Sequence, residues 1–164
     1  MKVFGITGWK NSGKTTLTER LVEEITGRGI TVSTIKHAHH SVDVDQPGKD
    51  SFRHRAAGAG EVILASAYRW AIMHELRGAE EPTVDDLLAK LSPVELVLIE
   101  GFKQNGHAKI EASVKPDRPL ISVKDQSIRA IAAGHDVGPQ TVPVLDINNI
   151  PEIADFVLKE VGLG

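Results

Sequence analysis

The stretch Gly8-Trp9-Lys10-Asn11-Ser12-Gly13-Lys14-Thr15 decides how the rest of the chain is read. It matches G-x-x-x-x-G-K-[ST] in the setting that motif requires. Before it, Val3-Phe4-Gly5-Ile6-Thr7 is apolar enough for a buried strand. After it, Leu17, Leu21, Val22 and Ile25 share one helical face, and Gly27 and Gly29 close the helix. The glycines let the backbone curl until successive N–H groups converge on phosphate oxygens, and the helix adds its positive end. Gly8, Lys10, Asn11, Ser12, Gly13, Lys14, Thr15 and Thr16 are therefore the candidate phosphate-binding residues. Lys14 is assigned to the β- and γ-phosphates and the Thr15 hydroxyl to Mg²⁺.

Outward from this loop, short β-rich runs recur at Ile30 to Lys36, Glu61 to Ala65, Leu96 to Ile99, Leu120 to Val123 and Val142 to Ile147. Helical patterns lie between several of them. Thr83-Val84-Asp85-Asp86 reads as a capping box, and Ile153, Ala154, Val157, Leu158 and Val161 form one stripe behind Pro151. Alternating strands and helices predict an α/β class with a largely parallel sheet, here a three-layer, P-loop NTPase-like fold. Residues 95–131 hold strand-like pieces without a helix between them, so an antiparallel excursion is predicted there. No linker or repeat interrupts the sequence, and residues 1–164 are expected to form a single nucleotide-binding domain.

A second acid is needed near the metal, and Leu96-Val97-Leu98-Ile99-Glu100-Gly101 supplies Glu100 at a buried strand end. Asp50, opening a helix through Ser51-Phe52-Arg53-His54-Arg55, is either a capping acid or a second acid near the hydrated metal. Lys36, His37, His39, His40, Lys49, Arg53, His54 and Arg55 make a polar segment suited to a second ligand or a partner surface. No guanine-reading Asn-Lys-x-Asp is present. Asp125, at the end of the Leu120–Val123 run, is the candidate base-binding acid, with an ordinary turn carboxylate as the competing reading.

Composition narrows the function classes. Nineteen Lys plus Arg against 22 Asp plus Glu leave a formal charge of −3, which argues against a nucleic-acid footprint and a polybasic membrane anchor. With no cysteine, a disulfide scaffold, a zinc ribbon and a thiol nucleophile are out of reach. No uncharged run approaches the roughly 18 residues of a membrane span, and no secretory signal fits the first residues. A cytoplasmic protein is expected.

Gly8 to Leu17, Lys36-His37 with His39-His40, Gly48-Lys49-Asp50-Ser51 running into Arg53-His54-Arg55, and Glu100-Gly101-Phe102-Lys103 together resemble the MobB family. These are the molybdopterin-guanine dinucleotide biosynthesis adapter proteins. The resemblance covers nearly the whole chain and implies a homodimer that binds GTP and Mg²⁺. It also implies weak GTPase activity and an accessory role beside the MobA-like guanylyltransferase that joins GMP to molybdopterin. Lys14 and Thr15 then take the phosphate and Mg²⁺ roles, Glu100 that of the second-strand acid and Asp50 that of an acid near the metal. One departure is that Trp9 stands between Gly8 and Lys10, where related GTPases often place a lysine directly after the glycine. No glutamine is placed to orient an attacking water and no arginine stands out as a finger, so hydrolysis is expected to be slow. Two other readings compete: a metallochaperone GTPase loading metal through His37, His39 and His40, and an ATP-dependent small-molecule kinase.

Overall fold

Strand β1 (Lys2–Thr7) runs directly into the glycine loop, and helix α1 (Lys14–Gly27) leaves it. The computed structural model describes residues 1–38 and 44–164; His39 and His40 of the polar segment lie outside the described residues. The remaining elements are β2 (Val32–Lys36), α2 (Asp50–Ala56), β3 (Glu61–Ala65), β4 (Trp70–His74), α3 (Val84–Leu88), β5 (Leu96–Glu100), β6 (Lys109–Ser113), β7 (Ile128–Ala133), β8 (Val144–Asp146) and α4 (Ile150–Val161). They fall into two compact units, residues 1–37 with 87–164, and residues 38–86.

The larger unit is built on a six-stranded sheet in the order β2-β5-β1-β6-β7-β8, with every pairing parallel. Phe4 and Ile6 of β1, Leu96 and Leu98 of β5, Ile110 and Ala112 of β6, and Ala130 and Ala132 of β7 form one core with Leu17, Leu21 and Ile25 of α1 and Ile153, Ala154 and Val157 of α4. These sheet residues are alternate positions along their strands, so they line one face. Helix α4 starts with a proline in its first turn and stops at Gly162, whose φ of 73° suits a left-handed cap.

The smaller unit contains the antiparallel pair β3–β4, in which Glu61 lies opposite His74 and Ala65 opposite Trp70. Arg55 of α2 is held there by Asp45 and by Glu75 at 2.5 Å. The capping box at residue 83 forms as read: Thr83 N–H donates to Asp86 Oδ2 at 3.0 Å, and Asp86 N–H donates to Thr83 Oγ1 at 3.2 Å.

The antiparallel excursion therefore sits in residues 61–74 and not in 95–131, where β5, β6 and β7 are parallel neighbours of other strands. The reason is register. Ile6 pairs both with Glu100, the last residue of β5, and with Ile110 near the start of β6. β6 thus begins near the level at which β5 ends, and residues 101–108 need no helix to carry the chain back. The predicted strand at Leu120–Val123 folds as bends and turns, while Lys109–Ser113, Ile128–Ala133 and Trp70–His74 are strands that the apolar runs did not reveal.

Candidate phosphate site

The loop between β1 and α1 adopts backbone angles that its residues select. Gly8 has φ 145° and Gly13 φ 93°. A Cβ on Gly13 would stand 2.7 Å from Val114 Cγ1, so both conformation and space demand glycine. Asn11, at φ 63°, is among the few non-glycine types that tolerate the left-handed region. Gly13 caps α1 with no side-chain hydrogen bond, and the first backbone return comes from Leu17 N–H to Gly13 O at 2.9 Å. The first-turn amides of α1 thus point into a cavity of about 300 Å³ bounded by Asn11, Ser12, Gly13, Lys14, Thr15 and Thr16. Ser12 Oγ, buried at its base, has no hydrogen-bond partner among the described residues. This combination of amides, hydroxyls and a lysine fits a polyphosphate.

Lys14 folds over the loop, its ammonium donating to Gly8 O at 3.1 Å and Trp9 O at 2.6 Å. Burial lowers its pKa below the ordinary lysine value, Lys103 and Lys36 push the same way, and Glu100 opposes them. Thr15 Oγ1 donates to Glu100 Oε1 at 2.9 Å. Lys36 at the end of β2 reaches the same two groups, with Nζ 3.3 Å from Thr15 Oγ1 and 3.4 Å from Glu100 Oε1. Parallel pairing explains the meeting, because Ile6 and Lys36 are both in register with Glu100. A hydroxyl and a nearly buried carboxylate side by side are the hard oxygen donors that Mg²⁺ takes, with water filling its other positions. They line a second cavity of about 340 Å³, shared with Thr18, Thr34 and Lys36.

The other predicted residues take the following positions, each within its own unit. Lys10 and Asn11 are exposed on the loop. His37 stacks on Phe102 with ring centroids 4.4 Å apart and packs its Cβ where a side chain on Gly101 would have to go. The Gly101 amide, suited by its glycine to approach a γ-phosphate, here donates to Ile6 O at 3.1 Å. Lys49, Asp50, Arg53 and His54 are exposed on the smaller unit; Lys49 and not Asp50 occupies the N-cap of α2, and Asp50 lies 3.7 Å from Arg53. Asp125 is engaged inside its own unit. It accepts from Ser127 N–H at 2.9 Å and Ser127 Oγ at 2.5 Å, and its other oxygen meets Lys109 Nζ at 3.1 Å. Burial would raise its pKa, but these hydrogen bonds outweigh it and hold the carboxyl below its usual range.

The residues that the sequence did not announce gather around Trp9. Its indole N–H donates to Pro119 O at 2.7 Å. Lys103 Nζ lies 4.8 Å from the ring centroid and the Arg118 guanidinium 5.7 Å from it. Both are cation–π distances. The signals in the sequence were the departure at Trp9 and the Glu100-Gly101-Phe102-Lys103 block, and neither announces the contact between them.

The family model described as "MobB: Molybdopterin guanine dinucleotide synthesis protein B" matches residues 3–134. The chain belongs to the MobB family. A Haemophilus influenzae protein named molybdopterin-guanine dinucleotide biosynthesis adapter protein is 44% identical over 94% of this chain and 86% of its own length. One of the same name from Escherichia coli is 38% identical over 96% and 91%. Among solved structures, Bacillus subtilis MobB superposes with a TM-score of 0.78 at 27% identity, covering 98% of both chains. The MobB homologue from Bacillus stearothermophilus gives 0.73 at 26% and covers both chains completely. The fold is thus that of the family, a P-loop NTPase-like α/β sheet with a small antiparallel pair attached. Among the described residues no helix is long and apolar enough to cross a membrane.

Proposed function

We propose that this protein is a GTP-binding adapter of molybdopterin guanine dinucleotide biosynthesis, acting beside the guanylyltransferase that joins GMP to molybdopterin. The observation that carries the nucleotide part is the meeting of Lys14, Thr15, Lys36 and Glu100 at the mouth of the glycine loop. The names of the relatives support the pathway. Residues 8 and 10–16 hold the phosphates through loop amides and hydroxyls, and Lys14 exchanges its two carbonyl partners for phosphate oxygens. Thr15 and Glu100 would hold Mg²⁺, which neutralises charge on the terminal phosphates when bound. Lys36 holds Glu100 in place. In this reading the protein presents nucleotide more than it turns it over, and hydrolysis is slow.

Residues 1–164 then act as one nucleotide-binding domain in the cytoplasm, and as a homodimer. The dimer is supported by the β3–β4 pair, which leaves Ile63, Leu64, Trp70 and Ile72 between 46% and 65% exposed. Light scattering at micromolar concentration checks it: a monomer there counts against the dimer. No observation favours the metallochaperone or the kinase.

The deciding experiment is guanylation by purified transferase and molybdopterin, with and without this protein. Stimulation should vanish in Lys14→Ala, whose affinity for GTP falls ten- to a hundredfold with the loss of a charge-assisted contact. Glu100→Gln should bind GTP with a weaker dependence on Mg²⁺. Unchanged GTP affinity in a folded Lys14→Ala variant removes the phosphate assignment.

A further inference from the structure

The carbonyl of Trp9 receives Lys14, but its side chain has no role in the phosphate site, and yet it is held on three sides. Its N–H is fixed by Pro119 O at 2.7 Å, and its ring carries two cations. Lys103 reaches that ring through an unusual turn. Gly101 has φ 101°, and Phe102 has φ 45°, a region costly for an aromatic side chain. The turn is held from both sides: Phe102 stacks on His37, and the Lys103 carbonyl accepts from the fully buried Lys109 at 3.1 Å. A strained, doubly anchored turn delivers one ammonium to the rim of the phosphate loop.

The charge around it is unbalanced. Lys103 and Lys36 both act on Lys14 against the single carboxylate of Glu100, and Lys103 is the strongest of these charged neighbours, pressing the Lys14 pKa down. Both ammonium groups contact Trp9, Lys14 at its carbonyl and Lys103 on its ring, and like charges gathered at one residue cost energy until an anion lies between them. The anion's direction is set by the site. Thr15 and Glu100 mark the metal end, where the β- and γ-phosphates lie, and Lys103 follows Glu100 by three residues. The cavity of about 280 Å³ lined by Asn11, Thr16, Val114, Ile147 and Asn148, which shares Asn11 and Thr16 with the phosphate cavity, is left for the nucleoside.

We propose that Lys103 is a further phosphate-binding residue, held on the Trp9 ring so that it contacts the terminal phosphate of a nucleoside triphosphate and distinguishes it from the diphosphate. The inference rests on the nucleotide-binding reading above. Trp9 acts through Lys103 as a positioning residue, supplying an aromatic rest that neither binds phosphate nor competes for it.

The test is calorimetry of the full chain with GTP and with GDP, both with Mg²⁺, in the parent and in Lys103→Met, Lys103→Arg, Trp9→Leu and Lys14→Ala. Urea midpoints confirm that each variant is folded. Lys103→Met should lose about tenfold or more in GTP affinity and little in GDP affinity, so that the preference for GTP shrinks by that factor. Lys103→Arg should restore much of it, and Trp9→Leu should move the preference the same way by less. The chain has two tryptophans, so in a Trp70→Phe background Trp9 emission reports the site directly. It should respond more to GTP than to GDP, and that difference should disappear in Lys103→Met. If Lys103→Met binds both nucleotides as the parent does while Lys14→Ala weakens the binding of both, the role of Lys103 is overturned and the nucleotide reading stands. An equal loss for GTP and GDP also overturns it. If the parent binds neither nucleotide, both fall together.

Discussion

On one face of the six-stranded sheet Phe4, Ile6, Leu96, Leu98, Ile110 and Ala112 meet two helices; on the other, Lys109, Glu111 and Ser113 meet loops. At β6 both faces are closed to water: Ile110 and Lys109, adjacent on that strand, are each 0% exposed. The means differ. Helices satisfy their own backbone groups, so the face beneath them needs only apolar surface. Loops do not, and the polar side chains of β6 act as their missing partners. Glu111 accepts from Ile121 N–H at 2.8 Å and Ser122 N–H at 2.9 Å, Lys109 reaches the Lys103 carbonyl, and Ser113 Oγ lies 3.0 Å from His135 Nε2. The helix-covered face supplies stability, and the loop-covered face fixes irregular chain where the phosphate site needs it. That division can be broken by mutation.

The largest effect should come from Lys109→Met. It strands Asp125, Ser127 and a carbonyl at once, and losing one partner of a buried ion pair costs about 3–5 kcal/mol. Ile153→Ala in α4 should cost about 2–5 kcal/mol by opening a cavity under the helices. Denaturant melts measure both. The comparison sharpens when GTP affinity is measured on the folded fraction. Lys109→Met should weaken it by loosening the Lys103 turn, and Ile153→Ala should leave it alone. Equal effects on binding would abolish the distinction between the faces.

Glu111→Gln comes next. It keeps the shape, but its NH2 cannot accept, so one of the two backbone N–H groups loses its acceptor and the other keeps an uncharged one; a charged hydrogen bond contributes about 1.5–3 kcal/mol. Amide exchange should become faster at Ile121 and Ser122 and stay unchanged in α1 and α4. Uniform acceleration across the sheet would mean that Glu111 supports the whole fold and not one loop.

The same division explains what was legible in the sequence. The glycine loop, α1, α4 and Glu100 could be read because their chemistry is local: a motif, a helical stripe, an acid at the end of an apolar run. Strand β6 could not. Lys109-Ile110-Glu111-Ala112-Ser113 alternates like a half-exposed strand, although both its faces are buried. The apolar Leu120–Val123 run looked like a strand and is a turn tied down by Glu111. Asp125 reads as either a candidate base contact or a turn carboxylate, and its partners Lys109 and Ser127 could not be read from the sequence. Lys103 and Arg118 reach Trp9 from far along the chain, and no spacing rule anticipates that.

The smallest effect concerns pH, and it belongs to the loop-covered face. His107 Nε2 is buried without a hydrogen-bond partner among the described residues, 2.6 Å from where a Cβ on Gly5 would sit. Burial lowers the His107 pKa below the ordinary 6.5, Lys109 lowers it further, and Asp125 opposes both. The folded protein therefore binds that proton less readily than the unfolded chain does. Stability from this group is complete above about pH 6.5 and drains away as pH falls through the lowered folded value. The effect is modest because the ring is only partly buried and Asp125 offsets Lys109. Urea unfolding between pH 8 and pH 5 should show a decline in the parent that flattens in His107→Gln, which cannot take up the proton. Ile153→Ala should keep the parent's slope at lower overall stability, since its face of the sheet carries no such group. If His107→Gln declines as steeply as the parent, the acid sensitivity lies in other groups, and the buried imidazole is paired well enough to hold its charge.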